Sequence, residues 1–111
     1  MKSDRERLMD IREAIERIQR YADKGREGFG SDELLQTWVV YHLQIIGEAV
    51  GRLSDQIKDQ HPEIPWREIV AMRNILVHDY FAVDADEVWN VVEGDLPTLK
   101  ASIDSIQEAT P

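Results

Sequence analysis

Apolar residues recur at steps of three and four along almost the whole chain, the spacing of one face of an α-helix. Leu8, Ile11, Ile15, Ile18 and then Tyr21 or Ala22 mark the first such face, between about residues 4 and 24, with Arg, Glu and Asp between them. An amphipathic helix with a charged, solvated back follows. Gly25, Gly28 and Gly30 end the pattern, and Ser31 before Asp32 and Glu33 reads as an N-cap with acids in a first turn, where the helix dipole favours them. From Leu34 and Leu35 through Trp38, His42, Ile46, Val50 and Leu53 to Ile57 the period continues with no proline, predicting a second helix. At about 27 residues and 1.5 Å each it spans roughly 40 Å and forms the spine of the domain.

The stretch from Lys58 to Pro65 is polar, carries two prolines and reads as a connector. Pro65 suits the first turn of a third helix, where a missing N–H costs nothing. Trp66, Ile69, Val70, Met72, Leu76 and Val77 carry that helix to about His78. Asp84 and Glu87 form a capping-box pattern for the next, whose apolar side is Val88, Trp89, Val91 and Val92. Gly94-Asp95 interrupts, and Pro97 opens a last run through Leu99, Ile103 and Ile106. The pattern leaves open whether this is one kinked helix or two. With no two-residue alternation of useful length, the expected fold is all-α, an up-and-down bundle of four to five helices forming a single domain over residues 1–111.

Composition narrows the class. Apolar residues make up 42% and charged residues 32% of the 111, which excludes a disordered tail. No run nears the roughly 20 apolar residues of a membrane span, and the mixed charges of Lys2, Asp4, Arg5 and Glu6 do not form a signal peptide. The absence of cysteine excludes a disulfide framework, a thiolate metal site and a cysteine nucleophile. A soluble cytoplasmic protein is expected. The net charge of −9 is uneven: residues 1–30 sum to +1 and residues 31–111 to −10. A whole-surface basic footprint for nucleic acid is therefore absent, and any RNA contact is local.

Three histidines are available for acid–base chemistry. His42 falls within the apolar period and reads as a hydrogen-bonded core residue; His61 lies in the exposed connector. His78 stands apart because it shares the segment Arg73-Asn74-Ile75-Leu76-Val77-His78-Asp79-Tyr80 with other polar groups at a predicted helix end. Asn74 and His78 stack one turn apart, whereas Arg73 is offset from His78 by about 140°. For Arg73 and His78 to meet one target, the helix unwinds, the arginine stem bends round, or a second subunit contributes. A purely structural account competes: Arg73 paired with Glu48 or Glu68, Asn74 capping a neighbouring turn, and His78 closing its helix.

Arg73, His78 five positions on and Tyr80 two further resemble the signature of the HEPN superfamily (higher eukaryote and prokaryote nucleotide-binding domains), and within it the HepT-like toxins. Ile45-Ile46-Gly47-Glu48-Ala49, Ile64-Pro65-Trp66, Met72-Arg73-Asn74, Val88-Trp89 and Asp95-Leu96-Pro97 agree with that family in order, covering about residues 34–106. The resemblance implies a homodimer whose Arg73 and His78 face one cleft and a metal-independent, cofactor-free endoribonuclease. It also implies a toxin of a type VII-like toxin–antitoxin module. The implied antitoxin is a cognate minimal nucleotidyltransferase that adds AMP to Tyr80.

The chemistry is consistent in its own terms. Cleaving RNA without a metal requires a base for the 2′-OH, an acid for the departing 5′-oxygen, and positive charge at the phosphorane-like transition state. Histidine titrates near neutrality, and arginine presents a permanently charged fork to phosphate. Each chain has one well-placed histidine, so two-fold symmetry would supply the second. His78 is then base or acid, Arg73 stabilises the transition state, and Asn74 positions phosphate or ribose. Glu48, a carboxylate in the most apolar part of the second helix, reads as a buried orienter of Arg73 or an interface residue. Gly47 and Gly51 allow another helix to approach. Trp38, Trp66 and Trp89 read as packing residues. The arginines of the first helix form either a basic wall or a solvated face. The competing function is a non-catalytic dimeric interaction or nucleotide-binding module.

Overall fold

The computed structural model describes residues 2–78 and 84–109, and these form an all-α bundle. Helix α1 (Asp4–Gln19) begins at a reciprocal cap, in which Ser3 Oγ accepts from the Glu6 N–H while the Glu6 carboxylate accepts from the Ser3 N–H. It buries Leu8, Ile11, Ala14, Ile15 and Ile18, the face the periodicity selects. It ends short of the expected residue 24, giving way to a 3₁₀ turn over Ala22–Lys24. Gly25, at φ 71°, lets the chain turn into a short helix α2 (Gly25–Gly30), which seats Phe29 against the Trp89 ring at 5.6 Å.

Asp32, not Ser31, caps helix α3 (Glu33–Arg52). Its carboxylate accepts the Leu35 N–H at 3.1 Å, while Ser31 Oγ donates back to the Glu27 carbonyl at 3.0 Å. At 20 residues α3 is about 30 Å long, shorter than expected. The chain turns extended at Leu53 and Ser54 because Asp4 takes both the Ser54 N–H at 2.9 Å and the Ser54 hydroxyl at 2.6 Å. Ser54 Oγ in turn accepts the Ile57 N–H, starting helix α4 (Asp55–Gln60). Leu53 and Ile57 are buried on either side of this break, so the apolar period runs on although the helix does not.

Helix α5 (Trp66–His78) follows Pro65, whose carbonyl accepts the Ile69 N–H. The Trp66 indole donates to the His61 carbonyl at 3.0 Å and folds the connector over the helix start. Helix α6 (Ala85–Asn90) is capped by Asp84, as expected, with the Asp86 N–H as donor at 2.8 Å. A π-turn over Val91–Asp95 then leads into helix α7 (Leu96–Ala109), with helical dihedrals at both junctions, so the C-terminal run is one helix with a widened turn. Pro97 accounts for the widening: it has no N–H for the Glu93 carbonyl, and the Leu96 N–H reaches back five residues to Val91.

Helix α3 packs against α1 on one side and α5 on another, and α7 closes over α1. Ile11, Ile15, Ile18, Leu43, Val50 and Ile103 are wholly enclosed at their meeting. Among the described residues no helix is long and apolar enough to cross a membrane.

Candidate active site on α5

The crossing of α5 over α3 is set by Gly47. A Cβ built there would lie 2.2 Å from Arg73 Cβ and 2.7 Å from its Cγ, so only glycine admits the arginine stem at this distance. Gly51 is looser, its nearest neighbour being a Val70 methyl at 3.7 Å. One turn earlier on α3, the Gln44 side-chain amide donates to the Leu76 carbonyl at 3.3 Å and ties down the last turn of α5. Sequence reasoning passed over Gln44; a polar side chain inside the apolar run of α3 was the available signal.

Helix α5 stays helical through His78, which removes unwinding between residues 73 and 78 as the way to bring Arg73 and His78 together. A bent arginine stem or a second subunit remains. Arg73 Nη1 donates to the exposed Asn74 Oδ1 at 3.1 Å, which draws the guanidinium from the Gly47 side of α5 toward the stripe that Asn74 shares with position 78. Arg73 is partly buried, and its Nε is enclosed with no partner among the described residues. Neither Glu48 nor Glu68 comes within ion-pair distance of it. Asp79 and Tyr80 lie outside the described residues.

The reading of Glu48 as a buried orienter of Arg73 is overturned; its reading as an interface residue is not. Its side chain is 53% exposed and lies 3.5 Å from Arg52, one turn on, so it neither needs a buried partner nor orients Arg73. The reason is helical phase: positions 34, 38, 41, 45, 48 and 52 follow one another at steps of four and three and form a single outward stripe. Leu34 at 84% and Tyr41 at 59% exposure lie on it, with Trp38 and Ile45 half-buried.

Other candidates resolve as packing. His42 donates from Nδ1 to the Trp38 carbonyl at 2.8 Å and is buried beside the Trp38 and Tyr41 rings. The indole N–H groups of Trp38 and Trp89 bond the Arg17 carbonyl and the Glu93 carboxylate. The basic residues near the N-terminus are largely paired: Lys2 with Asp10, Arg12 with Asp104, Arg17 with Glu13, Lys24 with Asp32 and Arg26 with Asp86. Arg5, Arg7 and Arg20 have no ion pair among the described residues, so the face is solvated and partly ion-paired. Among the described residues no three His, Asp or Glu side chains are grouped to hold a metal ion.

The all-α bundle is consistent with the HEPN-like architecture that the sequence resembles. The family described as "Ribonuclease HepT-like" matches residues 11–106, and the chain belongs to it. It is 40% identical over 108 residues to "Probable ribonuclease HepT" of Thermococcus cleftensis, covering 96% of this chain and 98% of that one. A "Putative RNase" of Caldanaerobacter subterraneus subsp. tengcongensis is 35% identical over 107 residues, 96% of each chain. A third relative, "Gamma-glutamylcyclotransferase and putative RNase" of Methanocaldococcus jannaschii, is 40% identical over 102 residues. The match takes in 91% of this chain but 46% of that protein. No solved structure gives a significant match.

Proposed function

We propose that the protein is a metal-independent endoribonuclease acting as a homodimer, the toxin half of a type VII-like toxin–antitoxin module. Membership of a ribonuclease family supports the reaction class. The observation that carries the site is the bend of Arg73 onto Asn74, which turns the cation toward the side of α5 to which position 78 belongs. The outward stripe of α3, with Tyr41 exposed and Ile45 half-buried, offers apolar surface for a second copy.

In this reading the His78 imidazole of one protomer takes the proton from a ribose 2′-OH. The 2′-oxygen bonds to phosphorus, the bond from phosphorus to the 5′-oxygen breaks, and the partner subunit's His78, as imidazolium, protonates the leaving oxygen. The paired Arg73 side chains hold the non-bridging oxygens as charge builds on them, and Asn74 positions phosphate or ribose. The products are a 2′,3′-cyclic phosphate and a 5′-hydroxyl. Two imidazoles supply both proton transfers, so no metal or cofactor takes part.

Regulation falls to Tyr80, two residues past His78. The cognate minimal nucleotidyltransferase joins the Tyr80 oxygen to the α-phosphorus of ATP, and pyrophosphate leaves. The added phosphate brings bulk and negative charge beside Arg73 and His78 and excludes substrate phosphate.

The test is purified protein on RNA with EDTA present. Cleavage persists in the wild type, disappears in His78→Ala and Arg73→Ala variants that remain dimeric, and spares DNA of the same sequence. Undiminished cleavage by His78→Ala removes the nuclease assignment, while a wild type that binds nucleotide without cleaving RNA favours the interaction module. Intact mass after co-expression with the nucleotidyltransferase shows adenylate additions that vanish in Tyr80→Phe; additions that persist remove the modification site.

A further inference from the structure

Met72 lies about 160° round α5 from Asn74, on the side away from the candidate active site. There α5 and α7 stand apart, and the space between them is a groove of about 370 Å³. Ile64, Ile69 and Met72 form one wall, Leu96 and Leu99 the other, and Ile46 of α3 lies at the floor. A second hollow of about 340 Å³ shares Glu68, Met72 and Val91 with it and extends it along α5.

The rim has one sign. Glu63, Glu68 and Asp95 are exposed at its edge, and among the described residues no lysine or arginine lines it. Glu63 has His61 Nδ1 at 3.4 Å; among the described residues Glu68 and Asp95 have no cationic partner. Such a rim repels a phosphate backbone, which excludes nucleic acid as the occupant.

We propose that this groove docks a basic amphipathic helix of a partner protein. Both walls are helices, so the ridge of a third helix is the complementary shape. A dry cavity of about 150 Å³ holds one benzene. By that measure the groove takes roughly two large apolar side chains, the anchors a helix presents at successive turns. Lysines or arginines flanking those anchors meet Glu63, Glu68 and Asp95, fixing orientation and speeding encounter. The inference does not depend on the nuclease reading, because it uses the opposite side of α5.

The test uses the full chain and a labelled 16-residue peptide with leucines every third or fourth position and flanking lysines, followed by fluorescence anisotropy at 0.15 M salt. The wild type binds it saturably with 1:1 stoichiometry, and the same peptide with glutamates in place of lysines binds at least about tenfold more weakly, since attraction becomes repulsion at several rim sites. Glu68→Lys with Asp95→Lys also weakens binding about tenfold. Asp23→Lys with Glu108→Lys, which changes net charge equally but elsewhere, alters it less than about twofold. Ser102→Arg, which plugs the groove without removing a core side chain, abolishes binding, with circular dichroism confirming the fold.

Any of four results overturns the proposal: no saturable binding to the wild type, equal binding of the glutamate peptide, equal weakening by the distant charge pair, or undiminished binding to a folded Ser102→Arg variant. Competition between the peptide and self-association would instead assign the groove to a second copy of this chain, and so also overturn it.

Discussion

Gly47 of α3 lies directly under the stem of Arg73 on α5, closer than any side chain at position 47 would permit. The cation proposed to meet phosphate is thus held by what is missing from the facing helix, and α5 takes its position from that contact.

Gly47→Ala places a methyl group 2.2 Å from Arg73 Cβ, so α5 must move outward. Alanine gains about 1 kcal/mol of helix propensity, but overpacking in a tight contact costs about 1–3 kcal/mol, so the variant is expected to be less stable and to misplace Arg73. Gly51→Ala meets only ordinary contact at 3.7 Å and keeps the propensity gain, raising stability by about 0.5–1 kcal/mol. Denaturant midpoints of the two variants should shift in opposite directions, and RNA cleavage should fall only in Gly47→Ala.

Arg73 and Asn74 should behave as a coupled pair. Removing an oriented cation from a developing charge typically costs a factor of about 100 or more in kcat, and Arg73→Ala is expected to do so. Asn74→Ala alone should cost about tenfold by releasing the guanidinium, roughly the worth of one hydrogen bond to a charged group. In an Arg73→Ala background, the same Asn74→Ala change should cost less than it does alone, leaving only the loss of Asn74's own contact with phosphate or ribose.

Much of this was legible in the sequence because it is local. The buried face of α1, the entry to α5 at Pro65-Trp66 and the Asp84 cap depend on residues within a turn or two of one another. What was not legible depends on distant residues. The end of α3 comes from Asp4, about 50 positions away, taking both donors of Ser54, and the apolar period gives no sign of it. Glu48 was misread as buried because its apolar neighbours in sequence are not its neighbours in space. Its step to Arg52 and its phase with Leu34 and Tyr41 held the answer. Gly47 could be read as a point of close approach, but only the structure names Arg73 as the residue that fills it.

The Asp4–Ser54 clasp gives a prediction about stability alone. Asp4→Ala removes two hydrogen bonds to a partly buried carboxylate and leaves the Ser54 N–H without that acceptor, a loss of about 1.5–3 kcal/mol. The denaturant midpoint should fall with the m-value unchanged, since the surface exposed on unfolding is the same. Cleavage per folded molecule should be unaffected.

Asp32 ties the cap of α3 to pH. The Leu35 N–H and then Lys24 hold its carboxyl below the usual carboxylate value. A carboxyl lowered in the folded state contributes stability above its unfolded value near 4, and that contribution is lost as pH falls through the lower folded value. The stability gap between wild type and Asp32→Ala should therefore be widest at neutral pH and narrow steadily below pH ~4. Urea titrations at a series of pH values measure it, and a gap that widens in acid contradicts the assignment.

The proposed division of labour between subunits can be read from mixtures. If one cleft uses both His78 side chains, one as base and one as acid, a dimer of one wild-type chain and one His78→Ala chain is inactive. Activity after random reassociation then follows the square of the wild-type fraction, so an equal mixture retains about a quarter of the undiluted rate. If each protomer carried a complete site, the dependence would be linear and the same mixture would retain about half. Initial rates against mixing ratio separate the two curves, provided sedimentation shows the variant chain dimerising as the wild type does. A linear result would leave Arg73 and Asn74 as a single-chain site and would require some other group to protonate the leaving oxygen.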